Sequence, residues 1–230
     1  MASLVNQPES PAYIFDIRID EPMTVLTDLV ISATCFFAFF ALRARAKNHP
    51  AIHLMNRYFL FLGIATFLGG VLGHGFYYML SLRWRFPGWV FGMVAVAFAE
   101  LAALTLIRYK LSIKFYRVLR LIIYVELFLI ITLTFYTLDF RWVEAHSIFG
   151  LLLIFSGIHL VILLAQPTSK ASMFALTGIG ILLISFLIYA LRLDLFIWLP
   201  STILTHILMA VSIWFNYKGT TYYAHSANGS

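Results

Sequence analysis

Ionisable side chains inside long apolar segments are the residues of this chain best placed to do chemistry. Six lie well within such segments: Asp28, His74, Glu100, Glu126, His159 and His206. Two more, Glu144 and His146, lie at the outer edge of the fifth segment. An ionisable group in a membrane span costs about 2.5 to 3.5 kcal/mol on insertion scales, so each of these residues is a candidate for function.

The first group consists of Asp28, His74 and His206. Counted from the helix ends at about 1.5 Å per residue, the three lie about 8, 12 and 15 Å below the outer surface. Two imidazoles and a carboxylate can form a catalytic zinc site, which has three protein ligands and an open position for water. We therefore expect one polar cavity in which His74 and His206 bind a metal and Asp28 is catalytic. The alternative is that each histidine is a neutral, hydrogen-bonded packing residue.

The second group consists of Glu100, Glu126 and His159, at roughly 10 to 12 Å above the inner surface by the same count. Like charges close together in a low dielectric keep one carboxyl group protonated, so two glutamates can hold a proton between them. The group is a candidate proton relay. The alternative is two protonated glutamates that bond to neighbouring helices.

The elements that position these residues are seven apolar runs. The chain is 62% hydrophobic and only 11% charged, whereas soluble proteins are about 45 to 50% apolar and about 25% charged. Each run can cross a bilayer core of about 30 Å as a helix, and none alternates as a barrel strand does. The sequence therefore predicts an all-α, integral multi-pass membrane protein. The predicted helices are 23–44, 58–82, 88–107, 118–138, 143–165, 172–191 and 196–217.

Three parts follow from these runs. Residues 1–22 form a polar N-terminal segment, 23–217 the seven-helix domain, and 218–230 a polar tail that we expect to be frayed. The lone cysteine, Cys35, allows no disulfide within the chain.

The distribution of basic residues predicts the orientation. Of the 16 lysines and arginines, 11 fall on one side of the predicted bundle and five on the other. The side richer in basic residues belongs in the cytoplasm, which puts the N-terminus outside and the C-terminus in the cytoplasm. The basic residues that give the net charge of +6 lie next to apolar segments, where we expect them to contact lipid headgroups. Membrane lipids are the expected partners, and nucleic-acid binding is not expected.

Two helices resemble a known superfamily. The second predicted helix contains FLGGVLGHGFYYM and the seventh LPSTILTHILMAVSIW. In a seven-helix protein with an external N-terminus, these segments resemble the CREST superfamily, which includes alkaline ceramidases and adiponectin-receptor-like proteins. Those proteins bind zinc with one histidine on the second helix and a pair on the seventh. The zinc-bound water attacks an amide bond of a lipid.

The resemblance extends to two of five motif positions. His74 matches the histidine of the second helix and His206 the later histidine of the seventh. The other three positions differ, with Gly70 for a serine, Thr202 for the earlier histidine and Arg85 for an aspartate. A zinc site here needs a further ligand, for which Asp28 and Glu144 are candidates.

The acidic entry to the first helix is a second, looser similarity. Asp20, Glu21 and Pro22, followed by Thr27 and Asp28, are similar to the segment that binds calcium in ceramidases. The resemblance as a whole implies a zinc-dependent lipid amide hydrolase with an altered site. The alternative is a membrane protein without enzyme activity, either a proton or small-solute transporter or a structural subunit of a membrane complex.

Overall fold

The chain folds as an all-α bundle of seven helices, which confirms the predicted fold class. The computed structural model describes residues 10–45, 49–194 and 200–228. The helices are α1 Pro22–Leu42, α2 Pro50–Gly75, α3 Phe86–Leu106, α4 Ile113–Thr137, α5 Arg141–Ala165, α6 Lys170–Ala190 and α7 Ser201–Asn228. The first six are long and apolar enough to cross a membrane. The protein is therefore an integral, multi-pass membrane protein.

Local sequence explains where several helices begin. A proline lies in the first turn of α1, α2 and α3, where its fixed φ suits the helix and its missing N–H is not needed. Ser112 and Ser169 cap α4 and α6 by accepting backbone N–H bonds. The helix α2 begins at Pro50. Its predicted start at Tyr58 marks only the beginning of the most apolar stretch. The predicted start of the seventh helix at Phe196 lies outside the described residues.

Two helices contain π-helical turns. In α2 the last seven residues, Gly69–Gly75, are π-helical. In α5 the stretch Ile148–Phe155 is π-helical, between α-helical ends. Such turns are rare and frequently occur at functional sites. Both turns lie beside ionisable residues, since His74 is in the first and His146 precedes the second.

A short hairpin precedes the bundle. The strands β1 Ala12–Ile14 and β2 Ile17–Ile19 pair in antiparallel orientation. Asp20 then joins the hairpin to the end of α2, because its N–H donates to Gly75 O at 3.1 Å and its Oδ2 accepts from Tyr78 N at 2.6 Å. The hairpin therefore holds the start of α1 against the π-helical turn of α2.

The helices pack mostly with their sequence neighbours, and α7 closes the bundle against α1. The helix α3 is the most buried of the six spans and contacts α2, α4 and α5. Five of its buried residues are alanines, and such small side chains allow neighbouring helices to approach closely. The helix α4 is the least buried span and packs mainly on α3 and α5 from the outside.

The seam between α6 and α7 explains why the C-terminal segment is helical. A Cβ at Gly219 would lie 2.9 Å from Ala171 O, so the glycine lets α7 approach α6 closely. The rings of Phe174 and Tyr222 stack at 5.2 Å beyond that point. These contacts extend α7 to Asn228, whereas the polar composition after Lys218 predicts a frayed tail.

Candidate functional sites: a rim cluster and a core cluster

Five side chains gather at the end of the bundle that carries the hairpin. We call them the rim cluster, and they come from the start of α1, the π-helical turn of α2 and the first turns of α7: Glu21, Thr27, Asp28, His74 and His206. These segments are far apart in the sequence, and Thr27 and His206, which are in contact, are separated by 179 residues. The contact of α1 with both α2 and α7 brings them together.

Asp28 lies between the two histidines of the rim cluster. Its Oδ2 is 3.9 Å from His74 Nε2, and its Oδ1 is 3.6 Å from His206 Nδ1. The two imidazole rings are 6.2 Å apart between centroids. The predicted convergence of Asp28, His74 and His206 is thus present in the structure as a set of pairwise contacts around one carboxylate.

The Nδ1 atoms of both histidines are held by α1 and the residue before it. His74 Nδ1 is hydrogen-bonded to Glu21 Oε2 at 2.6 Å. His206 Nδ1 is 3.0 Å from Thr27 Oγ1, and the same hydroxyl is 3.0 Å from two backbone carbonyls of α1. Since carbonyls only accept, this arrangement favours His206 Nδ1–H as the donor to the hydroxyl oxygen.

Gly70 determines how closely α1 and α2 approach at the rim cluster. A Cβ at this position would lie only 2.8 Å from Asp28 Cβ and 3.4 Å from Asp28 Oδ2. The carboxylate of Asp28 therefore packs directly on the backbone of α2. Glu21 and His74 have about a third of their side-chain surface exposed, while Asp28 is nearly buried, so the cluster is open on one side.

A second set of polar side chains lies between α3, α4 and α5. We call Glu100, Glu126 and His146 the core cluster. His146 Nε2 is 3.0 Å from Met93 O, and His146 Nδ1 is 2.8 and 2.9 Å from the two oxygens of Glu126. A carbonyl only accepts, so Nε2 carries a hydrogen and donates it to Met93. The ring is thereby fixed with Nδ1 toward Glu126.

Glu100 is the third member of the core cluster, and it differs from the other two in its hydrogen bonding. Its side chain is fully buried, and neither Oε1 nor Oε2 has a partner in the described part of the chain. Gly150 of the π-helical turn in α5 leaves room for it, because a Cβ there would lie 3.1 Å from both Glu100 Cδ and Oε1. An unpaired carboxyl group at full burial is costly and calls for an explanation.

Comparison with known proteins identifies the family. A family model described as a family of unknown function, DUF6962, matches residues 23–225, which include α1 almost entirely and both clusters apart from Glu21. The chain belongs to DUF6962. No curated protein and no solved structure matches the chain. The DUF6962 match shows no link to the CREST superfamily, so the activity implied by that resemblance stays a proposal.

The second predicted group is assembled differently in this DUF6962 protein. Glu100 and Glu126 do converge, but His159 takes no part in their group. His159 Nδ1 lies 3.2 Å from Ser172 Oγ instead, and its ring lies against Phe155. Of the two histidines of α5, one contacts both α3 and α4, through Met93 O and the Glu126 carboxylate. That one is His146.

His146 is the functional candidate that sequence reasoning placed wrongly. Its position near the start of the fifth apolar run suggested the outer edge of the membrane, away from Glu126. Glu144, the other candidate at that edge, contributes to neither cluster.

The two clusters also differ as potential metal sites. Among the described residues, only the core cluster has three donor atoms from different side chains that all lie within 4.8 Å of one another. The donors of the rim cluster are more widely spaced around Asp28. The core cluster could therefore hold a metal ion, a possibility that the sequence had placed only at His74 and His206.

Proposed function

We propose that this protein is a membrane-embedded hydrolase that acts on lipids at the rim cluster. The observation that carries the proposal is the convergence of two imidazoles and two carboxylates from distant segments, on the side of the bundle where the cluster is open. Hydrolysis needs acid and base groups together with access for water and substrate. The core cluster is more enclosed, because Glu100 and His146 are both fully buried.

The residues of the rim cluster suit distinct roles. The Glu21 contact with Nδ1 orients His74, as carboxylate partners orient histidines that bind metals, and leaves Nε2 directed at Asp28. His74, Asp28 and His206 would supply the two nitrogens and one oxygen of a zinc site. Zinc at such a site lowers the pKa of bound water and so supplies a nucleophile. Glu21 and Asp28 are the carboxylates near enough to accept a proton.

An assay of lipid hydrolysis tests the proposal directly. Protein purified in detergent is mixed with defined ester-linked and amide-linked lipids, and the release of fatty acid is measured. We expect Asp28→Asn and His74→Gln to lower the rate at least 100-fold. His159→Gln, a buried histidine outside both clusters, is the matched control and should keep the wild-type rate. Unchanged hydrolysis in Asp28→Asn, or none by the wild type on either lipid class, would contradict the proposal.

The predicted orientation puts the rim cluster on the non-cytoplasmic side of the membrane. This proposal rests on the asymmetry of 11 to five basic residues. A reporter fused after the last residue should behave as cytoplasmic and one at the N-terminus as external. Both reporters on the same side would contradict the proposed orientation.

A second candidate function is proton or small-solute transport through the core cluster. Ionisable groups between membrane spans mark ion pathways. Transport is favoured by the hydrogen-bonded pair of Glu126 and His146, next to Glu100, whose oxygens lack a hydrogen-bond partner among the described residues. Proteoliposomes with a pH gradient test this function. Proton flux in the wild type that is lost in Glu126→Gln supports transport, and flux equal to empty liposomes rejects it.

A further inference from the structure

We propose that the core cluster is a binding site for one divalent transition-metal ion, separate from the rim cluster. The three donors are one carboxylate oxygen each from Glu100 and Glu126 and Nδ1 of His146, which all lie within 4.8 Å of one another. They come from three different helices, α3, α4 and α5. A bound ion would therefore join the peripheral helix α4 to the centre of the bundle.

The first argument is the unsatisfied carboxyl group of Glu100. Among the described residues it is the only carboxylate with buried oxygens that lack a hydrogen-bond partner. Burying a polar group without a partner costs about 1 to 3 kcal/mol, and proteins seldom keep such a group without a ligand or a role. A cation bound beside Glu126 and His146 would be the missing partner.

The second argument is the orientation of His146. Histidines that bind metals almost always donate their other ring N–H to a carbonyl or carboxylate, which fixes the ring and the tautomer. His146 Nε2–H donates to Met93 O at 3.0 Å, and Nδ1 faces the carboxylates. The ring is thus already held as a ligand would be, with Nδ1 at the position of the metal donor.

The third argument is charge and ligand type. Two carboxylates and a neutral imidazole balance one divalent cation, and a site without net charge suits the interior of a membrane. A nitrogen ligand with two oxygens suits zinc, manganese or iron, whereas calcium and magnesium prefer six or more oxygen ligands. The chemical class is therefore a divalent first-row transition metal.

The fourth argument is the space at Gly150. A Cβ at this position would approach Val96 Cγ1 to 2.4 Å and Glu100 Cδ to 3.1 Å. The glycine lies in the π-helical turn that begins two residues after His146. The glycine in α5 thus leaves the room that the Glu100 carboxylate occupies beside Glu126 and His146.

Metal analysis of the full-length protein tests this inference. Protein in detergent is stripped with a chelator, incubated with Zn²⁺ or Mn²⁺, and desalted, and the bound metal per chain is measured by mass spectrometry. Co²⁺ is then bound in place of these ions, because its visible absorption reports the coordination. We expect Glu100→Gln and His146→Gln each to lose one equivalent of metal and the Co²⁺ spectrum of this site.

Matched variants separate this site from the rim cluster. The double variant His74→Gln/His206→Gln should keep the core equivalent, and His159→Gln should bind as the wild type does. Glu100→Gln keeps the size of the side chain, and circular dichroism together with gel filtration verifies its fold. Full metal binding in both Glu100→Gln and His146→Gln would overturn the inference. Loss of all bound metal in the His74→Gln/His206→Gln variant alone would overturn it too. The lipid hydrolysis assay remains independent of either outcome.

Discussion

The rim and core clusters contain the same kinds of side chain, carboxylates and imidazoles. They differ in how far the side chains are exposed and in whether each polar atom has a hydrogen-bond partner. In the rim cluster every histidine has a partner on its Nδ1, and the pair of Glu21 and His74 reaches the surface. In the core cluster His146 is buried and bonded on both ring nitrogens, while Glu100 beside it has no hydrogen-bond partner in the described part of the chain. The rim cluster is thus the more exposed of the two, and the core cluster lies largely enclosed between helices.

The difference extends to the backbone beneath each cluster. Both clusters depend on a glycine in a π-helical turn, Gly70 under Asp28 and Gly150 under Glu100. Gly70 lets α1 pack closely on α2, with the Asp28 side chain lying against the α2 backbone. Gly150 lets α5 pack closely on a carboxyl group that has no hydrogen-bond partner among the described residues. Substitutions at these glycines test the comparison most strongly.

The largest expected effect is that of Gly150→Ala. The new Cβ would lie 2.4 Å from the stiff side chain of Val96 and 3.1 Å from Glu100 Oε1, so α3 and α5 must separate. We expect a loss of about 3 kcal/mol in the free energy of unfolding, at the upper end of overpacking effects. Thermal unfolding in detergent measures it. Gly157→Ala is the control on the same helix, since nothing lies within 4 Å of its Cβ, and it should not destabilise. Equal stability of the two variants would contradict the tight packing described at Glu100.

Gly70→Ala is expected to cost somewhat less, about 2 kcal/mol. Its Cβ would lie 2.8 Å from Asp28 Cβ, so α1 must move away from α2 and Asp28 from His74. Hydrolysis at the rim cluster should fall together with stability. The neighbouring Gly69→Ala has open space around its Cβ and should change neither. If both variants keep the wild-type melting temperature and rate, the contact of Asp28 with α2 does not support the site.

The same contact gives a physical reason for the glycine at position 70, where the CREST proteins that the sequence resembles have a serine. A serine at position 70 would place its Cβ within 2.8 Å of Asp28 Cβ. With Asp28 at this place on α1, position 70 has room only for a glycine. The sequence showed that the serine was absent, but only the packing of α1 on α2 shows what takes its space.

The seven-helix fold and the grouping of Asp28, His74 and His206 could both be predicted from the sequence. Apolar runs of membrane length leave few alternatives to helices, so the seven-helix bundle could be predicted. Depth along each helix could be counted, and it brought Asp28, His74 and His206 to one level. Rotation about the helix axes could not be fixed from one sequence. His159 was therefore grouped with Glu100 and Glu126, although His146 is the residue that faces them.

Glu100→Met is expected to raise the stability of the metal-free protein. The substitution removes the carboxyl group without a partner and keeps an apolar side chain of similar size, which should add about 1 to 2 kcal/mol to the free energy of unfolding. Asp28→Leu in the rim cluster should act in the opposite direction, because it removes the carboxylate shared by two histidines. Denaturant unfolding after treatment with a chelator measures both. Destabilisation by Glu100→Met in metal-free protein would mean that its carboxyl group has a partner.

The smallest expected effect is the coupling between Glu21 and His74 in the rim cluster. Their atoms are 2.6 Å apart, but both side chains are about a third exposed, and water and salt screen such a pair. A double-mutant cycle with Glu21→Gln and His74→Gln should give a coupling of about 0.5 kcal/mol in the free energy of unfolding. The same cycle for Glu126 and His146 should give a larger value, because His146 is fully buried and bonded on both nitrogens. The rim coupling should also fall as salt is added, while the core coupling stays nearly constant. A rim coupling equal to that of the core at all salt concentrations would mean that the two clusters do not differ in access to solvent.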